Sequence, residues 1–283
     1  LLSLRSRRAR PATDDKVLAA WNGLALRAFA EAARYLGRAD YLSAAQRNAR
    51  FLLDNLWDEH ELKRSWREGK ANQPAFLEDY ASLIIGLLAL YQADFDPRWY
   101  AAVQQLANTL VESFTDPVGG FFDTPANLND LFVRPKDYQD NATPCGNSLA
   151  AYALLLLDEY TPNPEFRRAA EAALPALQDL IVRHPTAFGV WLQAADLAFG
   201  PVKQVALILA DEPNSATGLV AEVNQRWRAR TMVAASRLPL PPQAPELLQD
   251  RPLVDGQSTA YVCQHFTCQL PVTSSADLAR QLA

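Results

Sequence analysis

Histidine and cysteine are scarce: the 283 residues hold three of each. Cys145, Cys263 and Cys268 are too few for a disulfide framework, and such usage fits a reducing cytoplasm. None of these residues clusters at metal-ligand spacing, so no metal and no other cofactor is implied. A Gly-rich phosphate loop and a nucleophile elbow are both missing. No window approaches the roughly 18 continuous apolar residues of a membrane helix. The longest candidate, residues 148–157, is half a span, so the sequence implies no membrane partner. Basic stripes are absent too: 27 Lys and Arg stand against 32 Asp and Glu, for a net charge of −5. Only residues 5–10 form a basic run, and nucleic acid is excluded as a partner because phosphate neutralisation needs clustered cations. Leu1 opens the chain with neither an initiator Met nor a signal-type apolar core, which reads as a fragment or processed piece.

What is present is helical periodicity. Residues 80–91 and 146–157 carry no charged side chain in either run, the pattern of helices buried on every side. The segment 17–33 is similar, with only Arg27 and Glu31 charged. Between these runs lie one-sided stripes: Leu42, Ala45, Ala49, Leu52 and Leu56; then Trp99, Val103, Leu106 and Leu110; then Phe166, Ala170, Ala173, Leu177 and Leu180. Their 3–4 spacing marks helices with one face in water. Inner helices alternating with outer ones make the plan of an α/α toroid. The segments at Leu56–Trp66 and Phe114–Asp123 read as short β-hairpins leaving outer helices, the second turned by Gly119-Gly120. A helical solenoid competes, but its repeats are usually shorter, about 33–47 residues.

After Gly200 the composition changes. Residues 205–210, 231–236 and 259–266 are strand candidates, with helices near 215–226 and 275–282 and a Pro-rich loop from Pro239 to Pro245. The fold expectation is therefore mainly α: a partial α/α toroid over residues 1–199, incomplete at its start, with a small α/β unit over 200–283 packed on it.

Several ordered motifs carry a resemblance. They are Arg10-Pro11 with Asp14-Asp15-Lys16, Ala20-Trp21-Asn22-Gly23-Leu24, Phe76-Leu77-Glu78-Asp79-Tyr80-Ala81, and Gly119-Gly120-Phe121-Phe122-Asp123-Thr124. Arg134-Pro135-Lys136-Asp137, Asp140, Pro144-Cys145-Gly146-Asn147-Ser148 and Ala260-Tyr261-Val262-Cys263 follow, with Thr267-Cys268. Over nearly its whole length the chain resembles the C-terminal half of the spermatogenesis-associated, thioredoxin-domain-containing family. The resemblance implies a thioredoxin-like domain followed by a toroid similar to six-hairpin glycosidases and N-acylglucosamine 2-epimerases. This chain would start inside that toroid, so the thioredoxin-like domain and the N-terminal toroid half are its implied partners. Family members usually carry Ser where this chain has Cys145.

In a toroid the inner helices run the same way, so their N-termini gather at one rim, where spare N–H groups favour anionic or hydroxyl-rich ligands. Asp14 to Asn22, Glu78 to Tyr80, and Asn147-Ser148 lie at such ends. Paired carboxylates are the machinery of glycosidases, one donating a proton and the other acting as base or nucleophile. Asp79, Glu78, Asp15 and Asp140 are the candidate catalytic groups. Trp21, Asn22, Trp66, Tyr80, Phe122 and Asn147 are candidate substrate contacts, and Arg134 and Lys136 sit on a loop that could close over the cavity. Helix capping and dipole pairing explain the same acidic residues without catalysis, and Asp79 is favoured because the uncharged run starts just after it. The three histidines, His60, His184 and His265, fall in loops or outer segments, which disfavours an epimerase acid–base pair from this chain alone. Cys263 and Cys268 are five apart with no Gly or Pro between them, so they are expected as free thiols. The expected function is a carbohydrate-active protein, epimerase- or glycoside-hydrolase-like, with a sugar ligand. The alternative is a non-catalytic scaffold linked to a thioredoxin-like domain.

Overall fold

The computed structural model describes residues 1–58, 60–128, 131–211 and 213–283. A short exposed helix, α1 (Leu2–Arg5), precedes β1 (Val17–Leu18), which runs directly into α2 (Ala19–Leu36). Then come α3 (Ala39–Leu56), β2 (Lys63–Arg67), β3 (Lys70–Pro74), α4 (Leu77–Asp94), α5 (Pro97–Phe114) and α6 (Gly146–Asp158). The helical part closes with α7 (Pro164–Glu171), α8 (Leu174–Arg183) and α9 (Gly189–Phe199). Helices α2, α4, α6 and α9 pack side by side in that order, and α3, α5, α7 and α8 lie against them from outside. This is a partial α/α toroid, an arc of hairpins with an inner and an outer row.

Sequence chemistry separates the rows. Every residue from 80 to 91 in α4 and from 146 to 157 in α6 is buried, as uncharged runs require. In α3 only Ala45, Ala49, Leu52 and Leu56 are buried, one face of the helix. Two glycines set how closely the inner helices approach. A Cβ on Gly86 would stand 2.5 Å from the Gly23 carbonyl oxygen, and one on Gly23 would stand 2.6 Å from the Ser82 backbone. The backbones of α2 and α4 therefore touch where they cross, and no side chain fits between them. No helix among the described residues is long and apolar enough to cross a membrane.

The first expected hairpin is displaced. Trp57 and Leu62 form a single antiparallel bridge, and the ladder proper is β2–β3, turned by Glu68-Gly69 with both φ angles positive (50° and 80°). Strand β1 adds to it in the order β1-β2-β3, an extra pairing that ties the start of α2 to this hairpin. The second hairpin is likewise reduced to one bridge, Thr115 to Phe121.

Beyond Gly200 come β4 (Lys203–Leu209), α10 (Pro213–Asn224), β5 (Thr231–Arg237), β6 (Thr259–Gln264), β7 (Thr267–Cys268) and α11 (Ser275–Leu282). The sheet order is β5-β4-β6-β7, with β4–β5 parallel and the other pairs antiparallel. Alternate residues of β4 enter different cores, as a period of two demands. Ala206 and Ile208 join the core of the helical arc, whereas Val205 and Leu207 pack with Leu219 of α10 and Leu278 of α11.

One expectation is overturned here: Cys263 and Cys268 form a disulfide. An extended chain would have kept them apart, but it reverses at His265-Phe266, where φ is 49° and 61°. Two successive residues with positive φ make the tight turn that matches the twist of a hairpin. The two cysteines thereby become direct cross-strand partners, with Cα atoms 3.8 Å apart. Aromatic residues rarely adopt this conformation, so residue type gave no warning of it.

Candidate functional site

The N-termini of the inner helices do converge at one rim, and buried polar side chains hold them there. Asp79, only 1% exposed, accepts the Ala20 amide at the start of α2 on Oδ1 (3.0 Å). Its Oδ2 accepts the Phe76 amide (2.9 Å) and pairs with the Arg64 guanidinium (3.0 Å). Burial pushes the Asp79 carboxyl up to about 6, against the lowering by these donors. Asp140 does the same for the next two helices. Its Oδ1 accepts the Cys145 amide (3.0 Å) and the Ser148 hydroxyl (2.6 Å), and its Oδ2 accepts the Val190 amide of α9 (2.8 Å). Asn147, fully buried, accepts the Phe121 amide and donates to the Phe121 carbonyl, at 2.7 and 2.9 Å.

Between the ends of α4 and α6 lies a cavity of about 320 Å³, lined by Glu78, Asp123, Asp137, Gln139, Thr143 and Cys145 among others. The two helix ends abut closely: a Cβ on Gly146 would stand 3.1 Å from the Glu78 amide. Asp123 Oδ1 accepts the Asp137 amide at 3.1 Å and the Asn147 side-chain amide at 3.4 Å. Burial raises the Asp123 carboxyl to about 6, with the Asp137 and Glu78 charges adding to the rise. Glu78 is ion-paired with Arg64 at 2.9 Å and is about one-third exposed. Cys145 is a poor nucleophile here, because burial pushes its thiol up to about 11. Its sulfur accepts the Ser148 amide at 3.3 Å as an N-cap, the role an oxygen of Ser would fill.

Of the sequence candidates, Glu78 lines this cavity. Asp79 points instead between α2 and α4, and Asp140 and Asn147 are committed to helix ends and the hairpin at Phe121. Asp15 is an exposed partner of Arg67 at 2.7 Å. Tyr80 is buried, its hydroxyl accepting the Leu62 amide at 2.9 Å. Trp66 packs edge-on against Phe51, and Asn22 donates to the Leu18 carbonyl at 2.9 Å. Trp21 is 64% exposed on α2, apart from the cavity. Phe122 is the centre of a different structure. The Arg134 guanidinium and the Lys136 ammonium sit over its ring, 4.1 and 4.8 Å from the centroid. Arg134 also donates to the Thr124 and Ser113 carbonyls, and Lys136 to the Gly119 carbonyl while pairing with Asp116. The loop is thus pinned down by its own cations rather than held open by them. Asp123 and Gln139 were not among the candidates. Asp123 stood in a motif already noted, but only the fold shows that Asn147 turns it to the cavity.

The whole chain aligns with spermatogenesis-associated protein 20 of Homo sapiens at 32% identity and of Mus musculus at 30%. It also aligns with an uncharacterized protein of Caenorhabditis elegans, at 26% identity over 98% of the chain. The chain is a homologue of spermatogenesis-associated protein 20. It spans 38% of the length of the human and mouse relatives. No family model matches it. Among solved structures it is similar to cellobiose 2-epimerase from Spirochaeta thermophila DSM 6192, with 19% identity and a TM-score of 0.48 over 58% of this chain and 43% of that one. A sugar epimerase from a ruminal bacterium shows 17% identity and a TM-score of 0.40 over 61% of this chain and 42% of that one. At those scores the overlap is partial.

Proposed function

We propose that the cavity between α4 and α6 is a carbohydrate site in which Asp123 acts as general acid and Glu78 as its carboxylate counterpart. The observation that carries this is Asp123 itself: a half-buried carboxyl raised to about 6, facing a cavity beside two other acidic side chains. A carboxyl titrating near 6 holds its proton in a useful fraction of molecules near neutral pH and can donate it to a leaving oxygen. Glu78, steadied by Arg64, supplies the negative partner that two-carboxylate sugar chemistry needs. The Gln139 and Thr143 side chains give further partners for hydroxyl groups. A hydrolase-like acid–base reaction suits these groups better than epimerisation by paired histidines, since His60, His184 and His265 are all exposed and apart from the cavity. The same proposal places the chain in a longer cytoplasmic polypeptide whose further hairpins and thioredoxin-like domain accompany this one.

A second reading, a partner-binding scaffold, is favoured by the full internal commitment of Asp79, Asp140 and Asn147 to the fold. A panel of mono- and disaccharides, screened for thermal shift and turnover, separates the two. A sugar that stabilises the wild type but not Asp123→Asn or Glu78→Gln supports the carbohydrate site. Absence of any hit with the full-length relative as well as this chain favours the scaffold.

A further inference from the structure

A second, smaller cavity of about 60 Å³ lies at the other end of the arc, where the C-terminal halves of α2, α4 and α6 meet the α/β unit. Arg27, Arg34 and Arg228 line it. Arg27 is paired with Glu31 at 2.8 Å and Arg228 with Glu222 at 3.2 Å. Among the described residues Arg34 closes no ion pair, although the Glu31 carboxylate also lines the cavity and acts on it through space. Its Nε donates to Asn224 Oδ1 and its Nη1 to Gln92 Oε1, both neutral groups, and its Nη2 makes no hydrogen bond among the described residues. A guanidinium does not give up its proton in a protein, so three guanidinium groups against Glu31 and Glu222 leave this region with a net positive charge.

Helix C-termini carry partial negative charge, which by itself draws cations to this end. The hydrogen bonds do not follow that pattern: the three guanidinium groups reach side chains and the carbonyls of Glu222 and Val223 in α10, and none donates to a carbonyl of α2, α4 or α6. Two more donors in the wall are buried and unused. Among the described residues the Tyr160 hydroxyl, on a fully buried side chain near the Val233 backbone, closes no hydrogen bond, and Arg228 Nε has no partner either. Native interiors leave few buried donors unpaired, and two beside an unpaired guanidinium mark a place for an acceptor. At about 10–15 Å³ of such space per water, the cavity has room for about four to six waters, or one tetrahedral oxyanion in their place.

We propose that this cavity binds a phosphate group, free or as the end of a small phosphate ester, with Arg34, Arg228 and Tyr160 as its donors. Charge-assisted hydrogen bonds from a guanidinium fork suit a phosphate, whose several oxygens take donors from different sides. Trp227, 64% exposed, is an apolar wall against which the organic part of an ester would lie. The site is separate from the cavity holding Asp123 and stands or falls independently of it.

The test is binding to the full 283-residue chain, by calorimetry and thermal shift, of inorganic phosphate, glycerol 1-phosphate and glucose 1-phosphate, with chloride at matched ionic strength and glucose as controls. At about 100 times Kd a phosphate ligand should raise Tm by roughly 5–10 °C, and chloride and glucose should not. Arg34→Gln should weaken phosphate binding at least about tenfold, since a charge-assisted contact to a desolvated anion is lost. Arg228→Lys keeps the positive charge beside Glu222 but removes Nε, and should also weaken it, which decides the matter if the first variant does not fold. Asp123→Asn should leave phosphate binding unchanged. Tighter binding of an ester than of inorganic phosphate identifies the ester as the ligand, and equal binding identifies the free ion. Equal shifts by chloride and phosphate, or unchanged phosphate affinity in folded Arg34→Gln or Arg228→Lys, would overturn the proposal.

Discussion

Asp79 Oδ1 accepts the Ala20 amide at 3.0 Å, a bond between residues 59 apart that fixes the start of α2 against the start of α4. With the Phe76 amide and Arg64 on its other oxygen, this carboxylate gathers three donors in a nearly solvent-free place. Asp79→Ala leaves all three without their acceptor and should cost about 3–5 kcal/mol, as removal of one member of a buried pair does. Asp79→Asn keeps the shape and one acceptor oxygen and should cost less, about 1–3 kcal/mol. Denaturant melts with unchanged slope and shifted midpoint check both values. Lost ligand binding at undiminished stability would instead return Asp79 to the list of catalytic groups.

A pH effect follows from the two raised carboxyls. Asp79 and Asp123 both titrate near 6 in the folded protein, against an ordinary 3.8. Each holds a proton when folded that the unfolded chain has released, so its stabilising contribution is full below about 3.8 and is lost as pH rises through about 6. Between pH 5 and 7 the melting temperature of the wild type should therefore fall relative to that of Asp123→Asn, whose amide does not titrate. Parallel curves for the two proteins would show that Asp123 does not titrate there.

The contact of α2 with α4 gives a sharper structural test. Gly86→Ala puts a methyl group 2.5 Å from the Gly23 carbonyl oxygen, where only backbone can give way. Overpacking of this kind costs about 1–3 kcal/mol, and more where backbone rather than a side chain must move. Gly37→Ala meets open space but sits at φ 63°, so its cost should be the smaller one of a left-handed conformation without glycine. Chemical melts of the two variants side by side compare them directly.

The cysteine pairing is countable. Thiol titration of the denatured, non-reduced chain should find one free cysteine, Cys145, with Cys263 and Cys268 bridged. In the folded protein Cys145 should react slowly with thiol reagents near neutral pH, because its thiol is buried and titrates near 11. Three thiols in the denatured chain would restore the expectation of reduced cysteines.

The inner helices were legible because burial on every side forbids charge, and residues 80–91 and 146–157 obey that rule over three turns each. The outer helices were legible for the complementary reason, one apolar face at helical spacing. The turn at His265-Phe266 was not, since its positive φ values are imposed by the cross-strand pairing around it rather than by residue type. Within the candidate site, Glu78 could be placed at a helix N-terminus from sequence, and the structure puts it in the cavity wall. Asp79, one residue on, is rotated about 100° around the helix axis and enters the contact with α2. Asp123, in a loop, depends on a hydrogen bond from Asn147, which lies 24 residues later in α6. Local pattern does not encode such a bond.

The most direct test of the carbohydrate site is the pH dependence of sugar affinity, measured by calorimetry from pH 5 to 8 on the wild type and on Asp123→Asn, using the sugar that gives the largest thermal shift. If Asp123 donates its proton to a bound sugar, wild-type affinity should fall as pH rises through about 6, with the variant weaker at low pH and flat across the range. Identical affinities and identical pH profiles for the two proteins would contradict a role for Asp123 and, with it, the assignment of this cavity as the site.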